Sequence, residues 1–368
     1  MKKPYTPRGL PPKNIEWADH IPLIAQANAA LARYDGILET MVNPGLLLSP
    51  LTTQEAVLSS RIEGTQATLE EVLEFEADPV RKIEPSKHAD IQEIINYRTA
   101  INRAVDLLKK RPICLNLILE LHGILMDSVR GANKSRGQFR KIQNWIGPPG
   151  CSIEDASFIP PSPDALPAAL DAWEKYIHSE EKDRLAQLAV VKAQFELIHP
   201  FLDGNGRIGR MLIPLFLFEK KILSAPMFYL SDYLERNRAQ YYQALNSISE
   251  HEDWNGWIRF FLTALAEQAM ENTKKARAVL KLYEKMKREV PAITRSQYAV
   301  QAIDTLFYRP IFSTTDFITD SKIPKFTAFR ILSELEGKGI LNVLREGRGR
   351  KASILVFNEL IEITEHIG

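Results

Sequence analysis

The chain has 368 residues, of which 45% are hydrophobic and 25% are charged, an ordinary composition for globular proteins. At roughly 150 residues per domain, this length predicts two to three domains with sizeable cores. The formal net charge of +1 excludes a general attraction of the whole chain to nucleic acid or anionic lipid. Two cysteines do not make a disulfide framework, and no apolar run is long enough to span a bilayer. Because the N-terminus lacks a signal-peptide pattern, we expect a soluble, cytoplasmic protein.

The first third of the chain has helical patterns. Residues 23–38 are rich in Ala and Leu at helical spacing. A second helix is predicted near residues 53–64, where Thr52-Thr53-Gln54-Glu55 resembles a capping box and Gly64 provides a C-terminal stop. This assignment puts Glu63 in the last turn of that helix. Further helical patterns cover residues 65–76, 90–110 and 115–126.

The middle of the chain contains a non-helical interruption. Between Gly131 and Pro163 the sequence is rich in Gly, Pro, Ser and aromatic residues, and short apolar runs at 138–146 and 157–159 predict a β-hairpin or loop. Helical patterns resume over residues 167–178, 184–198, 207–221, 235–249 and 254–288. Pro214 predicts a kink in the third of these helices.

The C-terminal part predicts a small separate domain. Helical patterns at 297–307, from 313, and at 324–338 are followed by a hairpin pattern at 341–357, which is the order of a winged helix-turn-helix. We therefore expect a mainly α fold with four parts. They are an N-terminal helical region (1–110), a central helical core with a small β-hairpin (111–266), a helical connector (267–290) and a winged-helix domain (291–368).

The most informative stretch is residues 199–210, His-Pro-Phe-Leu-Asp-Gly-Asn-Gly-Arg-Ile-Gly-Arg. Gly204, Gly206 and Gly209 formally match the glycine spacing of dinucleotide-binding folds. That pattern requires a preceding strand, whereas residues 184–198 are too long and too rich in Ala, Gln, Lys and Glu to form one. A dinucleotide-binding loop is therefore excluded by its context.

What remains is a tight turn between two helices, and this geometry favours an anion. Backbone N–H groups converge where the second helix opens near Arg207, and the helix dipole attracts negative charge there. Arg207 and Arg210 are three residues apart, on one helix face, and are suited to further phosphate oxygens. Asp203 is a suitable ligand for Mg²⁺ bound to phosphates, and His199 accepts a proton near neutral pH. The pattern indicates metal-dependent attack by a hydroxyl on a nucleotide phosphate.

Taken piecemeal, these residues also fit an ordinary turn with a histidine at a helix end. Taken together, nine specified positions match His-Pro-Phe-x-Asp-Gly-Asn-Gly-Arg-x-x-Arg, and this sequence resembles the signature of the Fic family without a mismatch. The resemblance extends over most of the chain, from an N-terminal helical extension to a winged-helix tail. It is similar in arrangement to bacterial Fic adenylyltransferases.

The resemblance implies a role for each position of the motif. His199 would be the general base for a Ser, Thr or Tyr hydroxyl of a target protein, and Asp203 would hold Mg²⁺ on the phosphates of ATP. Arg210 would bind the γ-phosphate. The ATP site as a whole would comprise Asp203, Gly204, Asn205, Gly206, Arg207, Ile208, Gly209 and Arg210, with residues 204–207 forming the anion hole. AMP would pass to the hydroxyl and pyrophosphate would leave.

Two more segments resemble parts of the family. Asp155, Ala156, Ser157 and Phe158 resemble the flap that clamps an extended segment of the target by strand pairing, although a Pro-rich surface turn would look similar. The pair Tyr241 and Tyr242 resembles the tyrosines near the adenine pocket, although core aromatics are the alternative. Ser249 stands where relatives often have an Asn, which puts a base-specific hydrogen bond at that position in doubt.

Residues 59–64, Ser-Ser-Arg-Ile-Glu-Gly, match the family's inhibitory motif. A carboxylate in the last turn of a helix meets the negative end of the dipole, at a cost of roughly 0.3–1 kcal/mol. The resemblance implies that Glu63, presented on the helix that carries Ser59, pairs with Arg210 and denies it to the γ-phosphate. The alternative is a solvated glutamate at a helix end.

Several functions and partners stay open at this level. The winged-helix segment carries Lys322, Lys325, Arg330, Arg345, Arg348, Arg350 and Lys351, but Asp316, Asp320, Glu334, Glu336 and Glu346 are interleaved with them. Binding of DNA is therefore possible but not favoured over protein contacts or a homodimer. We expect an autoinhibited protein adenylyltransferase that uses ATP and Mg²⁺. The alternatives are an enzyme that removes AMP at the same site and a nucleotide-sensing, DNA-binding regulator.

Overall fold

The structure is a computed structural model that describes residues 3–127, 135–148, 150–347 and 351–366. The fold is mainly α-helical, as predicted, with one small sheet. In chain order the elements are α1 (Trp17–Thr40), α2 (Pro44–Leu47), α3 (Ser49–Ile62), α4 (Leu69–Ala77), α5 (Pro85–Leu108), α6 (Leu115–Leu125), α7 (Leu166–Ile177), α8 (Arg184–Ile198), α9 (Asn205–Glu219), α10 (Ser231–Arg236), α11 (Arg238–His251), α12 (Trp254–Thr294), α13 (Ala299–Tyr308), β1 (Ile311–Ser313), α14 (Thr314–Ser321), α15 (Lys325–Gly337), β2 (Asn342–Arg345), β3 (Ile354–Val356) and α16 (Asn358–His366). Within the described residues, none of these helices is long and apolar enough to cross a membrane.

The helix that carries the inhibitory motif begins earlier than predicted. α3 begins at Ser49, so Thr52 and Thr53 lie inside it and the predicted capping box does not form. The Glu55 carboxylate instead accepts hydrogen bonds from the backbone N and the Oγ of Ser231, at 3.0 and 2.6 Å. A tertiary contact to α10 has therefore replaced the local one.

The capping box of this region lies one helix later. Thr68 and Glu71 cap α4 reciprocally, and residues 65–68 are not helical although the sequence pattern predicted a helix there. The helix predicted over 235–249 is interrupted at Asn237, which separates α10 from α11.

The expected hairpin in the middle of the chain is reduced to a single antiparallel bridge between Ile146 and Phe158. Ile146 N donates to Phe158 O at 2.8 Å, and Ser157 N donates to Ile146 O at 2.8 Å. The glycines and prolines of this segment explain why the pairing does not extend into a ladder. Residues 131–134 and 149 of this predicted segment lie outside the described part of the chain.

One helix connects the core to the C-terminal part. α12 runs over 41 residues from Trp254 to Thr294, so the expected domain boundaries at 266 and 290 both lie inside it. Pro291 does not stop the helix, which ends at Arg295, a residue with a left-handed φ of 45°. α1 packs along α12, and Trp257 of α12 donates its indole N–H to Ala189 O of α8 at 2.7 Å.

The C-terminal tail, residues 295–366, combines α13–α16 with a three-stranded antiparallel sheet in the order β1-β3-β2. Strand β1 and helix α16 were not predicted, because each is short and its burial depends on the rest of the tail. An apolar cluster joins this tail to α4. Its buried members are Leu69, Leu73 and Ala77 of α4 with Ile311, Ile354, Val356 and Ile361 of the tail. Arg345 of β2 also pairs with Asp78 at the end of α4.

Candidate active site

The loop between α8 and α9 positions the predicted motif. Asp183 caps the start of α8 by accepting from the backbone N of Leu185 and Ala186, at 2.9 and 2.8 Å. The helix ends at His199, whose left-handed φ of 48° turns the chain into the loop. α9 then begins at Asn205, so its N-terminus faces the same loop.

Short-range hydrogen bonds fix the shape of this loop. The side-chain amide of Asn205 accepts from Phe201 N and donates to Phe201 O, both at 2.8 Å. Gly204 has a φ of 80°, and a Cβ there would lie 3.1 Å from the Met126 sulfur. His122, which the sequence analysis did not select, stacks on Phe201 at 3.7 Å and lies 3.1 Å from Asp203 O. The loop is therefore held in this shape by contacts within the chain.

His199 has the properties of a neutral base. Its Nδ1 lies 3.3 Å from Glu196 O, which favours a proton on Nδ1 and leaves the lone pair on Nε2. Burial lowers the pKa of His199 by more than the carboxylates of Glu196 and Glu63 raise it. An imidazole that is neutral at physiological pH accepts a proton from an incoming hydroxyl.

Asp203 lies beside the helix N-terminus. Its Oδ1 accepts from Gly204 N at 2.6 Å and from the Arg207 guanidinium at 3.2 Å, while the side chain stays 41% exposed. A single accessible carboxylate fits Mg²⁺, which uses one or two protein carboxylates and takes its other ligands from phosphates and water. Within the described residues, no group of three or more His, Cys, Asp or Glu side chains forms a metal cage.

The side chain of Arg207 does not do what the sequence predicted. We expected Arg207 and Arg210 to present guanidinium groups to phosphates from one helix face. Instead Arg207 is buried, and its Nη1 pairs with Glu93 of α5 at 2.8 Å. The buried carboxylate on a neighbouring helix competes for this cation, and spacing along α9 gives no sign of it. Arg207 therefore connects α9 to α5 through Glu93, and its second amino group contacts Asp203 at the start of α9.

Arg210 contacts α3 and the residue that follows it. Its Nε donates to Ser59 Oγ and its Nη2 donates to Ser59 O, both at 2.8 Å. The same Nη2 lies 2.6 Å from Glu63 Oε1. Burial opposes the charge on Glu63, but the Arg210 cation outweighs it, and the pKa of Glu63 is lowered. The predicted pair is therefore formed, between two ionised groups.

Gly206 makes room for this pair. A Cβ at position 206 would lie 2.1 Å from Glu63 Oε1 and 2.9 Å from Arg210 Nη1. The Glu63 carboxylate thus sits directly above the start of α9, where an anion is most favoured by the exposed N–H groups and the dipole. Of the other motif residues, Ile208 is fully buried in the core and Gly209 packs against Glu196 and Lys192.

A cavity of about 560 Å³ brings most of these groups together. Its lining includes Glu63, Glu196, His199, Gly206, Arg210, Arg238, Tyr241, Tyr242, Leu245 and Asn246, together with Trp145, Ile146, Gly147 and, from the predicted flap, Ser157 and Phe158. The volume is within the range of small-molecule and cofactor pockets. A base, an anion-binding helix start and an arginine thus share one apolar-walled space.

Two family models match this chain. The model described as Fic/DOC family N-terminal matches residues 21–106, and the model described as Fic/DOC family matches residues 112–217. The two segments together make up more than half of the chain. The chain belongs to the Fic family.

The individual relatives described below are 30% identical to this chain or less. A probable protein adenylyltransferase of Aquifex aeolicus is 30% identical over 209 residues, which are 55% of this chain and 57% of the relative. A protein adenylyltransferase Fic of Drosophila grimshawi is 29% identical over 167 residues, 44% of this chain and 29% of that protein. The chain thus matches well under two thirds of either relative's length. A Fic family protein from Desulfovibrio desulfuricans, 22% identical, matches 94% of this chain and 98% of its own with a TM-score of 0.61, and this likeness concerns the fold.

The segment predicted to be a flap lies only partly at the cavity. Ser157 and Phe158 line it, whereas Ala156 is buried and Asp155 is exposed, where it accepts from Ser152 Oγ at 3.0 Å. The N-terminal arm reaches this region as well, because Tyr5 N donates to Ile159 O at 2.8 Å. The backbone beside the flap is therefore already partly paired within the chain.

The tyrosine pair lies at the other end of the cavity. Tyr241 is buried, Tyr242 is 40% exposed, and their ring centroids are 5.1 Å apart. Asn246, one turn beyond Tyr242, lines the cavity and supplies an amide there, while Ser249 donates its hydroxyl to Asn246 O at 2.8 Å. The cavity wall therefore carries an amide at position 246, whereas Ser249 is not among its lining residues.

Besides His122 and Asn246, the sequence did not single out Arg238, Glu196 or Lys192, which lie at or beside the cavity. Arg238 donates to Ile62 O at 2.8 Å and so satisfies a carbonyl at the end of the inhibitory helix. Glu196 lines the cavity, and Lys192 lies buried beside it. The position of Lys192 within the apolar part of α8 indicates a buried cation, but the sequence pattern does not identify its partner. Arg348 and Arg350, expected on the wing of the tail, lie outside the described residues.

Proposed function

We propose that this Fic chain is a protein adenylyltransferase, which transfers AMP from ATP to a Ser, Thr or Tyr hydroxyl of a target protein, and that Glu63 inhibits it. The observation that carries the proposal is the contact of Glu63 with Arg210 above the N-terminus of α9, 2.6 Å long, in the cavity that also holds His199. The relatives named as adenylyltransferases support the same activity.

His199 acts as the general base on the target hydroxyl. The neutral imidazole takes the hydroxyl proton on Nε2, because Nδ1 is directed to the Glu196 carbonyl. The hydroxyl oxygen then attacks the α-phosphorus, the bond to the bridging oxygen breaks, and pyrophosphate leaves with that electron pair. Backbone N–H groups of residues 204–207 at the start of α9 stabilise the negative charge on the α-phosphate. Positioning and charge neutralisation supply most of the rate enhancement.

Asp203 is the residue that would hold Mg²⁺. Its exposed carboxylate lies at the edge of the same helix start, held by Gly204 N and by Arg207. When bound, Mg²⁺ neutralises charge on the phosphates and orients them. The Arg207 contact to Oδ1 keeps the carboxylate oriented, so Arg207 acts on the phosphates through Asp203 and its own backbone.

The tyrosine end of the cavity receives the adenosine. Tyr242 offers its half-exposed ring to the adenine, and the buried ring of Tyr241 packs against that of Tyr242. The Asn246 amide can donate to and accept from the base edge, which replaces the function that relatives assign to the position of Ser249. Ser157 and Phe158 lie on the opposite wall and place the target segment against His199.

Glu63 prevents productive ATP binding in this proposal. Arg210 is the cation that would bind the γ-phosphate, and three of its hydrogen bonds go to Ser59 and Glu63. The space over Gly206 is taken by the Glu63 carboxylate. A triphosphate must therefore displace Glu63 or bind with its terminal phosphate misplaced, which moves the α-phosphorus out of line with the attacking hydroxyl.

Removal of AMP is the second candidate, because the carboxylate of Glu63 lines the same cavity as His199. In that direction Glu63 would orient a water molecule for attack on the AMP-modified target. The winged-helix nature of the tail, its use for protein contacts or a homodimer, and the weaker possibility of DNA binding remain part of the proposal. The exposed Phe326 and Phe329 on α15 support protein contacts, since they form an apolar face.

Labelled ATP tests the proposal. The purified chain, Glu63→Gly and Glu63→Gly/His199→Ala are incubated with Mg²⁺ and ATP labelled at the α-phosphate, and label on protein is followed. We expect strong labelling only in Glu63→Gly. The matched control is Glu70→Gly, on the exposed side of α4, which should behave as the unaltered chain. Equal labelling of all four proteins would contradict both the base and the inhibitor assignments, and release of AMP that is lost in Glu63→Gly would favour the reverse reaction.

A further inference from the structure

A buried lysine lies directly beneath the cavity. The side chain of Lys192 on α8 is 0% exposed, and a buried ammonium is unfavourable unless it is paired. Its Nζ forms an ion pair with Glu196, one turn later on the same helix, and lies 3.1 Å from the Tyr241 hydroxyl. None of the reaction steps above uses this lysine.

Its partner Glu196 belongs to the cavity wall. The Glu196 side chain is 11% exposed and lines the cavity with His199 and Arg210. A Cβ at Gly209 would lie 2.5 Å from Glu196 Oε1 and 2.9 Å from Lys192 Nζ. The ion pair is therefore packed against the backbone of α9 at the residue immediately before Arg210.

Glu196 and Glu63 act on the same guanidinium. Burial lowers the pKa of Arg210, but Glu63, Tyr241 and Glu196 together raise it by more, so the pKa is raised overall. Lys192 feels the opposite balance, because burial and the Arg210 cation lower its pKa while Glu196 and Glu63 raise it. Two carboxylates and two cations thus form one electrostatic unit in a site with little water.

The Glu196 carboxylate needs an explanation in a pocket proposed for a triphosphate. It repels the phosphates, and it offers Arg210 a partner other than the ligand. With Glu63 in place the four groups are balanced, and when Glu63 leaves the unit carries one positive charge, which suits a polyanion. Without Lys192 the unit would be neutral after Glu63 leaves, and Glu196 would be the carboxylate left beside Arg210.

We propose that Lys192 is a positioning residue that holds the Glu196 carboxylate away from Arg210, so that Arg210 is available to the terminal phosphate of ATP once Glu63 has moved. This inference rests on the proposed function for the identity of the ligand. Lys192 itself touches neither the nucleotide nor the reacting atoms. It acts only through Glu196.

A purely structural role for the ion pair makes a different prediction. Loss of one buried partner would then weaken the binding of all nucleotides to the same extent, or unfold the chain. If Lys192 positions Glu196, its loss affects the binding of the terminal phosphate. Lys192→Met should then weaken the binding of ATP far more than the binding of AMP. It also predicts that neutralising Glu196 corrects the loss of Lys192, because the competing carboxylate is then gone.

Calorimetry with Mg²⁺-ATP and with AMP separates the two roles. All variants are made in the full chain with Glu63→Gly, and Lys192→Met, Glu196→Gln and the double variant are compared. The matched control is Lys175→Met, which removes a lysine that pairs with Asp171 four residues away on the surface, at 76% and 59% exposure. We expect Lys192→Met to weaken ATP about tenfold or more and AMP less than about twofold, given typical couplings between contacting charges.

The double variant should restore ATP affinity to within about threefold of the Glu63→Gly parent, and Glu196→Gln alone should leave it equal or higher. Equal losses for ATP and AMP, or no rescue in the double variant, would overturn the proposal. If Lys192→Met alone does not fold, loss of ATP affinity in Glu196→Gln would overturn it as well. Binding is measured without transfer, so a Glu63→Gly parent that binds ATP but never labels protein contradicts the proposed function and not this inference.

Discussion

Arg210 Nη2 and Glu63 Oε1 lie 2.6 Å apart although the two residues are 147 positions apart in the sequence. The arginine side chain is 2% exposed, while that of the glutamate is 37% exposed. Ser59 on the same helix as Glu63 accepts two further hydrogen bonds from Arg210. The inhibitory helix is thus attached to α9 through one cation, and the exposed partner is the one that can leave.

We expect Glu63→Gly to increase self-labelling from ATP by about ten- to a hundredfold, since a charge pair of this kind couples by up to about 3 kcal/mol. Arg210→Ala in the same chain should remove the gain, because both changes act on one contact. A double-mutant cycle of initial labelling rates measures the coupling. Additive effects of the two changes would show that Glu63 acts through some other group.

We expect Asp203→Asn to reduce the Mg²⁺ dependence of ATP binding with little effect on stability. The amide oxygen can still accept from Gly204 N, so the loop keeps its shape, but the charge that attracts the metal is lost. Titration of Mg²⁺ against ATP affinity checks this. Asp155→Asn, an exposed carboxylate in the flap, is the control, and an unchanged Mg²⁺ dependence in Asp203→Asn would remove this residue from the metal site.

Glu93→Ala should lower the free energy of unfolding by up to about 3 kcal/mol, because it removes the closer of the two carboxylates that pair with the buried Arg207 cation, and Asp203 at 3.2 Å remains. We expect the folded protein to bind AMP nearly as well as before, since the Arg207 contact with Asp203 does not involve Glu93. Chemical denaturation and AMP calorimetry give the two numbers. A large loss of AMP affinity at unchanged stability would return the Arg207 side chain to the phosphate site.

Stability should depend on pH through Glu55. Burial raises the pKa of Glu55 from 4.5 to about 7, more than the hydrogen bonds from Ser231 lower it. The folded chain therefore binds this proton more tightly than the unfolded chain, and its contribution to stability is full below about pH 4.5 and lost as the pH rises through about 7.

Glu55→Gln, which cannot ionise, isolates this contribution. The stability of the variant relative to the unaltered chain should rise by about 3 kcal/mol between pH 4.5 and 8. Denaturation midpoints of both proteins across this pH range measure it. A difference that stays constant with pH would show that Glu55 is ionised in the folded protein from low pH.

The contact between α4 and the tail should influence inhibition. Leu73→Ala removes a side chain from the apolar cluster between α4 and the tail, and costs about 2–5 kcal/mol. Because α4 follows the inhibitory helix closely, we expect increased self-labelling well below the Tm. Leu332→Ala is the matched control, since Leu332 is equally buried in the tail but lies outside this cluster. Equal labelling by the two variants would show that the tail does not influence Glu63.

Local sequence patterns predicted the elements that depend on neighbouring residues. The turn at Asp203 to Arg207, the helices on both sides of it and the position of Glu63 at a helix end follow from glycine geometry and helical periodicity. The pairing of Glu63 with Arg210 did not come from periodicity; it was expected from the family resemblance.

Contacts between helices that are distant in the sequence determine the side-chain partners that local patterns did not predict. Arg207 faces Glu93 across 114 positions, and Glu55 reaches Ser231 across 176. In both cases a side chain with a plausible local use is taken by a partner on another helix. Asn246 lines the cavity in place of Ser249 because the wall is set by how α11 packs, which sequence spacing alone does not determine.

The missing side chain at Gly206 has a consequence for how the enzyme would respond to its substrate. The space above that residue is shared by the Glu63 carboxylate and any phosphate that reaches Arg210, and there is room for one of them. Under the proposed function Glu63 is then a tethered competitor with an effective local concentration set by its own helix. Inhibition would be a matter of degree, graded by the cellular ATP level, and a partner that lowers the effective concentration of Glu63 would activate the enzyme without touching the nucleotide.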